Sequence, residues 1–270
     1  MKTVFNKFIK SAVVAIIIGS AASVPVLAAP ILYVDDFAGN LGTVDVASGA
    51  VKVIGSTGQS LVDIAFDPTG NLYGITFNQL FRISKTTGAA TLVGNLGTSL
   101  NSLVFGSDGT LYGASDRLYT INKTSGAATS ISNGSGGYSF TSAGDLAFIG
   151  SDLFLTSIST PGDNLVNLNT TNGKGKLVGA IGFSNVFGLA SDNGLNLYGL
   201  SGTQILGINS ATGVGTLLGN YAGHGLLGAN GSAFFTEAGA PSPVPEPATA
   251  LLMGLGSLGL FLTRRKYAKK

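Results

Sequence analysis

The chain has no cysteine and no tryptophan, a single histidine, and only two glutamates, Glu237 and Glu246. Without thiols there can be no disulfide, no thiolate nucleophile and no cysteine-ligated zinc. An oxidising compartment is permitted, but it is not used for crosslinking. His224, in Gly223-His224-Gly225, has no second histidine to join it on a metal. As a general base it would need an orienting partner and a substrate pocket. The shortage of glutamate leaves any glycosidase-like carboxylate pair mostly to aspartates. Charge is also scarce, at 10% of residues, and the formal +2 comes from the two ends. Between Pro30 and Pro243, seven Lys and Arg stand against eleven Asp plus Glu237, a net of −5. That body lacks the basic footprint of a nucleic-acid binder.

What the chain has instead is glycine, 41 residues of it, among regularly recurring aliphatic and aromatic residues. This suits short strands joined by tight turns and does not suit disorder. The stretch from Leu103 to Ser132 shows one unit, four short apolar pieces separated by turn residues. A Leu-Tyr-Gly piece recurs at Leu72-Tyr73-Gly74, Leu111-Tyr112-Gly113 and Leu197-Tyr198-Gly199. Weaker forms stand at Leu32-Tyr33, Leu153-Phe154 and Phe234-Phe235. The period is about 40 residues, and no 3.6-residue periodicity persists in the body.

The most regular mark is a turn glycine, at Gly49, Gly88, Gly126, Gly173 and Gly213. Four residues before each lies Asp45, Ser84, Asn122, Asn169 or Asn209. Such side chains accept hydrogen bonds from the backbone two residues on, and glycine takes a positive φ without steric cost. The segments that follow, such as Val51 to Ile54 and Ala90 to Val93, read as fourth strands. Four strands per unit predicts an all-β fold, a β-propeller of about five four-stranded blades. The first unit lacks its first strand, and the last supplies only Leu226-Leu227 and Ala233 to Phe235, so joining the ends completes a fifth blade. Six blades, a β-solenoid or a sandwich are the structural alternatives. The body is similar to repeats of secreted propellers that carry Leu-Tyr-Gly and Thr-Gly-Ala-Ala-Thr phrases, a resemblance that speaks to fold and not to function.

Both ends fall outside the array. Lys2, Lys7 and Lys10, an apolar core from Ala12 to Ile18, and small residues around Val26-Leu27-Ala28-Ala29 read as a secretory signal peptide with cleavage after Ala28. At the other end, Val244-Pro245-Glu246-Pro247 precedes an apolar run from Ala248 to Leu262 and a basic end with Arg264, Arg265, Lys266, Lys269 and Lys270. Prolines stop the preceding structure, the run prefers hydrocarbon, and the cations hold the terminus on the cytoplasmic side. The run would span about 22 Å as a helix, short against a hydrocarbon core of about 30 Å. This tail resembles the PEP-CTERM sorting signal over about 24 residues in its order of parts. The resemblance implies export, transient anchoring and processing by a membrane exosortase near Val244 to Pro247. It implies delivery to the surface or extracellular matrix of a Gram-negative bacterium. The expected division is therefore 1–28 signal peptide, 29–240 propeller and 241–270 sorting signal.

Other motifs read blandly. Gly254-Leu255-Gly256-Ser257-Leu258-Gly259 matches a dinucleotide fingerprint but lies inside the apolar run, away from any βαβ unit. Asp67-Pro68-Thr69-Gly70-Asn71 and Ser107-Asp108-Gly109-Thr110 offer too few carboxylates for calcium and read as hairpin turns. The third repeat is longer, with inserts at Gly134 to Thr141, carrying Tyr138 and Phe140, and at Ser159 to Asn164. Tolerated loop variation is the plain reading of both inserts; as the alternative, exposed aromatics there could stack on a sugar or peptide. No catalytic residue, cofactor or metal ligand is assigned. The functional expectation is a structural or ligand-binding body, with extracellular polysaccharide as a candidate partner and no nucleic acid. A secreted hydrolase or lyase, or a lectin, is the alternative. Convergence of Asp35, Asp36, Asp63, Asp145 or Asp192 on the axis would favour the enzyme.

Overall fold

The computed structural model describes residues 30–131 and 136–239. Ala28, the Val244 to Pro247 motif and the basic residues Arg264, Arg265 and Lys266 lie outside the described residues. Twenty strands form five four-stranded antiparallel sheets. The first three are β1 (Ile31–Asp36), β2 (Asn40–Asp45) and β3 (Val51–Ser56), which belong to blade 1. Blade 2 is β4 (Asp63–Phe66), β5 (Leu72–Ile75), β6 (Gln79–Ile83) and β7 (Ala90–Asn95). Blade 3 is β8 (Ser102–Phe105), β9 (Leu111–Ala114), β10 (Leu118–Ile121) and β11 (Ala128–Ser130). Blade 4 is β12 (Ser142–Ile149), β13 (Asp152–Ser157), β14 (Asn164–Leu168) and β15 (Gly175–Ala180). Blade 5 is β16 (Val186–Asp192), β17 (Asn196–Ser201), β18 (Gln204–Ile208) and β19 (Gly215–Asn220). The last strand, β20 (Ala229–Phe234), returns to blade 1 and pairs with β1, matching Leu32 with Phe234 and Val34 with Ser232. The inner strands β20, β4, β8, β12 and β16 neighbour one another in a closed ring.

Ring closure by the two ends is therefore as the sequence suggests, with one correction. The C-terminal part supplies a single strand, and Phe234-Phe235 is not a Leu-Tyr-Gly copy. Phe234 is buried at the end of an inner strand, as Phe66 and Phe105 are. The Leu-Tyr-Gly piece is the second strand of each blade, and blade 1 already has its copy in Leu32-Tyr33. Two adjacent aromatics after an apolar stretch fit either strand by pattern, and only the pairing partner distinguishes them.

The core is divided into five apolar clusters, one between each pair of neighbouring blades. This is why successive residues are both apolar: Leu80 faces the cluster shared with blade 3, while Phe81 faces the one shared with blade 1. Each blade is thus buried on both faces, and strict polar alternation has no role there.

The five turn glycines have φ of 71°, 81°, 82°, 70° and 82° at Gly49, Gly88, Gly126, Gly173 and Gly213. Each donates its amide to the carbonyl four residues back, at 2.7 to 2.8 Å. Asn122 Oδ1 accepts from the amides of Thr124 and Ser125 at 2.9 and 3.0 Å, and Asp45, Asn169 and Asn209 repeat this pair of bonds. Ser84, with a shorter side chain, accepts from Thr87 at 3.2 Å. The same turns also join blades. A Cβ on Gly126 would sit 2.7 Å from the carbonyl carbon of Gly94 in the preceding blade, and one on Gly88 would sit 2.6 Å from the carbonyl oxygen of Gly55.

Candidate functional site

Antiparallel blades give the ring two distinct ends. The inner strands begin at one end, here the upper face, where the hairpins between second and third strands also lie. The lower face holds the five recurring glycine turns and the ends of the inner strands. Because Leu32 pairs with Phe234, both the start of β1 and the end of β20 lie at the lower face. Pro30 and Gly239 therefore leave the body on that side.

The ring axis carries carboxylates. Asp63 begins β4, Asp145 lies in β12, and Asp35 lies in β1, all with at most 1% of their surface exposed. They meet at the Gly231-Ser232 peptide of β20. A Cβ on Gly231 would sit 3.0 Å from Asp35 Oδ1 and closer still to Asp63, while the amide of Ser232 donates to Asp145 Oδ2 at 3.2 Å. The carboxyls of Asp63 and Asp145 are near enough to act on each other. Burial holds Asp63 well above the usual carboxylate range, reinforced by the charge of Asp145. Burial also raises Asp145. Burial and the repulsion between them both favour the protonated form of the pair. Glu237, in the turn after β20, is raised by burial and by Asp145, and its Oε1 accepts from the amide of Ser191 at 3.3 Å.

An inner strand is an edge strand, whose axis-facing amides have no further strand to bond. The acids fill that role. Asp63 Oδ2 accepts from Leu103 of the next blade at 2.5 Å, and Asp145 Oδ2 accepts from Leu189 of its next blade at 2.6 Å. Asp163, raised by burial, accepts in the same way from Val186 at 2.8 Å. Ser102 Oγ and Ser142 Oγ, 2.8 Å apart, make the link between blades 3 and 4. Among the described residues no group of three or more His, Asp or Glu side chains is arranged to hold a metal ion. Two surface cavities, about 440 Å³ along blade 5 and about 300 Å³ beside the third-repeat insert, are lined by none of the axial acids.

Asp35 is the exception. Neither of its oxygens has a donor in bonding geometry, although Asn230 and Gly231 lie beside it. Burial, with the charge of Asp36 added, pushes it from 3.8 up to about 8. The folded state thus holds a proton between about pH 4 and pH 8 that the unfolded state has released. Stability falls as pH rises through that window, by an amount of the order of 5 kcal/mol once complete. Asp35→Asn removes this titration. The variant is expected to melt above the parent protein at pH 9, with the difference shrinking at pH 5. A difference equal at both pH values would show that Asp35 is not the group responsible.

Of the five aspartates singled out in the sequence, Asp35, Asp63 and Asp145 converge. Asp36 does not join them: its carboxylate accepts from Ala38, Asn40 and Leu227 and ties the closing loop to blade 1. Asp192 caps a lower turn through Asn196. Asp67 and Asp108 also cap hairpin turns, accepting from Thr69 and Thr110 at 2.9 Å. His224 is exposed in the loop before β20. The third-repeat aromatics are not exposed as expected. Phe140 is buried in the cluster between blades 3 and 4, and Tyr138 packs against that cluster and accepts from Asn164 at 3.0 Å.

The exposed aromatics lie elsewhere, on the upper face. Phe37, Phe77 and Ile158 are 54%, 53% and 58% exposed. Each stands five residues after the leucine of its Leu-Tyr-Gly piece, where blades 3 and 5 have Asp116 and Gly202. Leu227, in the last connection on the same face, is exposed as well. The turn glycines do not reveal this set, because it occupies the opposite ends of the strands. Aligning the copies on their leucines at that offset finds it.

The geometry defines a five-bladed, ring-closed all-β propeller with Pro30 and Gly239, the two ends of the described residues, on one face. Residues 243–266 match the PEP-CTERM protein-sorting motif, so the chain carries this signal at its C-terminus. No curated protein sequence matches the chain. Among solved structures it is similar to a protein described in connection with the de novo evolutionary emergence of a symmetrical protein, at 17% identity and TM-score 0.48, over 77% of this chain and 95% of that one. TolB from Acinetobacter baumannii is similar at 14% identity and TM-score 0.44, over 70% of this chain and about half, 52%, of TolB. A gluconolactonase from Xanthomonas campestris is similar at 15% identity and TM-score 0.47, over 72% and 77% of the two chains. These are likenesses of chain path, and no activity is carried across from them.

Proposed function

We propose that the chain is an exported, exosortase-processed surface or matrix protein whose propeller binds a ligand through its upper face and performs no catalysis. The observation that carries this reading is the opposition of the two faces. Gly239, just ahead of the sorting motif, lies at the lower face, while Phe37, Phe77, Ile158 and Leu227 stand exposed on the upper one. A body tethered by its tail, before processing or after attachment, presents the upper face outward. Asp35, Asp63 and Asp145 do converge, as the enzyme alternative asks, but they are buried, and Asp63 and Asp145 are engaged with neighbouring backbone amides, which favours a structural use of the pair. An active site needs its acid and base within reach of substrate.

The test is fractionation of a tagged chain in cells with and without the exosortase, followed by mass spectrometry of the mature C-terminus. With the enzyme, the chain is expected in the surface or matrix fraction, ending in or near Val244 to Pro247. Recovery of an intact C-terminus from the medium of both strains would remove the sorting half of the reading.

A further inference from the structure

We propose that the upper face is a docking surface for an uncharged, hydroxyl-rich polymer, a neutral polysaccharide, with Phe37 and Phe77 as its stacking platforms. The inference rests on the reading of the upper face as the ligand-binding one and adds the chemistry of the ligand.

The first support is charge. Among the described residues, the connections on the upper face contain no lysine. Their charged residues are Asp116, Arg117 and Asp163. Asp116 and Arg117 pair with each other at 3.5 Å, and Asp163 is buried and bonded to Val186. The lower face differs: its turns and the adjoining strand ends contain Lys85 and Lys123 together with Asp45, Asp67, Asp108 and Asp192. A polyanion approaching the upper face finds one cation, Arg117, already paired with Asp116, and a basic partner finds no exposed acid outside that pair. Long-range attraction is weak for either.

The second support is the form of the aromatic platform. Phe37 lies on the backbone of Gly228, where a Cβ would come within 2.7 Å of its ring. Its edge meets Phe187 with centroids 6.1 Å apart and planes at 72°. One side of the ring is thus fixed, and more than half of the residue stays open to solvent. A ring held in place before binding loses little freedom on binding. Its π face carries negative potential, which suits the C–H face of a sugar ring. Around these rings, Ser60, Asn78, Ser99 and Asn185 are exposed on the same face. Their hydroxyls and amides can both donate and accept, as sugar hydroxyls do. A lipid surface is a poorer match, because Gly239, which leads to the sorting motif, lies at the opposite face and the one cation here, Arg117, is paired with Asp116.

The full-length chain, purified in detergent, can be run in native gels containing dextran, laminarin or galactomannan as neutral polymers, or alginate as an anionic one. Retardation by at least one neutral polymer, unchanged by added salt, is expected. The double variant Phe37→Ala, Phe77→Ala should weaken it about tenfold while its melting temperature stays close to that of the parent chain. Retardation by alginate alone, lost in salt, would overturn the assignment of a neutral ligand while leaving the upper face as a binding surface if the double variant abolishes it. Neutral binding that survives the double variant places the polymer elsewhere on the body and overturns the proposal. Light scattering that shows a dimer broken by the same variant, with no polymer bound, assigns the face to a second copy instead. Absence of every interaction removes both this inference and the reading beneath it.

Discussion

Gly94→Ala is expected to destabilise the propeller by about 3 kcal/mol, at the upper end of what overpacking a core position costs. The added methyl would be driven into the carbonyl oxygen of Ser125 in the next blade. Backbone cannot rotate away as a side chain can, so blades 2 and 3 must separate locally. Gly126→Val strikes the same contact from the other side and adds backbone strain, since Gly126 has φ of 82° and a β-branched residue is an outlier there. It should cost more than about 1 kcal/mol on conformation alone. The two changes are expected to be less than additive, because a gap opened by one relieves the other. Urea denaturation of the single and double variants measures all three quantities. Parent-like midpoints for both single variants would show that the blades do not touch at this point.

Changing Pro245, Glu246 and Pro247 together to alanine is expected to abolish processing and leave uncut chain in the inner membrane. The motif lies within the residues that match the sorting signal. The apolar run after it, Ala248 to Leu262, is long enough to halt in a bilayer and short for a permanent span. Arg264, Arg265, Lys266 and Lys269 oppose transfer of the end. Only four residues lie between Gly239 and Val244, five backbone steps with a reach of at most about 18 Å, so processing at the motif brings the lower face close to the enzyme. Immunoblotting of membrane and medium fractions checks the result. Release of the triple variant at the parent mass and rate would mean that the proline motif is not what the enzyme reads.

Much of this architecture could be read from the residues because the repeat is expressed in two independent signals. Leu-Tyr-Gly marks the second strand, and an Asx or serine residue four before a glycine marks the turn between the third and fourth. Both are local: a turn residue acts on backbone a few positions away, so its pattern survives in one dimension. Phe234-Phe235 was misplaced because its identity depends on β1, some two hundred residues earlier. The axial acids were only half legible. Asp63 and Asp145 stand nine and eight residues before their leucines, but Ser102 and Gly188 hold the matching positions in blades 3 and 5, so no repeat of acid is visible. Their purpose, capping the amides of a neighbouring blade, exists only once the ring has formed. Phe140 shows the opposite limit: an aromatic in a glycine-serine insert reads as exposed, and the insert instead folds it back into the core between blades.

The last strand has a consequence for timing. In a chain made and exported from its N-terminus, blades 2 to 5 can assemble in order as their strands arrive, each from neighbours in sequence. Blade 1 waits as three strands until Ala229 to Phe234 has crossed, and the ring cannot shut before then. Such a closing contact is the slowest kind to form, since its ends are separated by almost the whole body. The sorting motif follows nine residues after β20, so on the proposed export route the closing strand is delivered immediately ahead of the segment the exosortase reads, and the ring can seal only when nearly the whole chain has crossed.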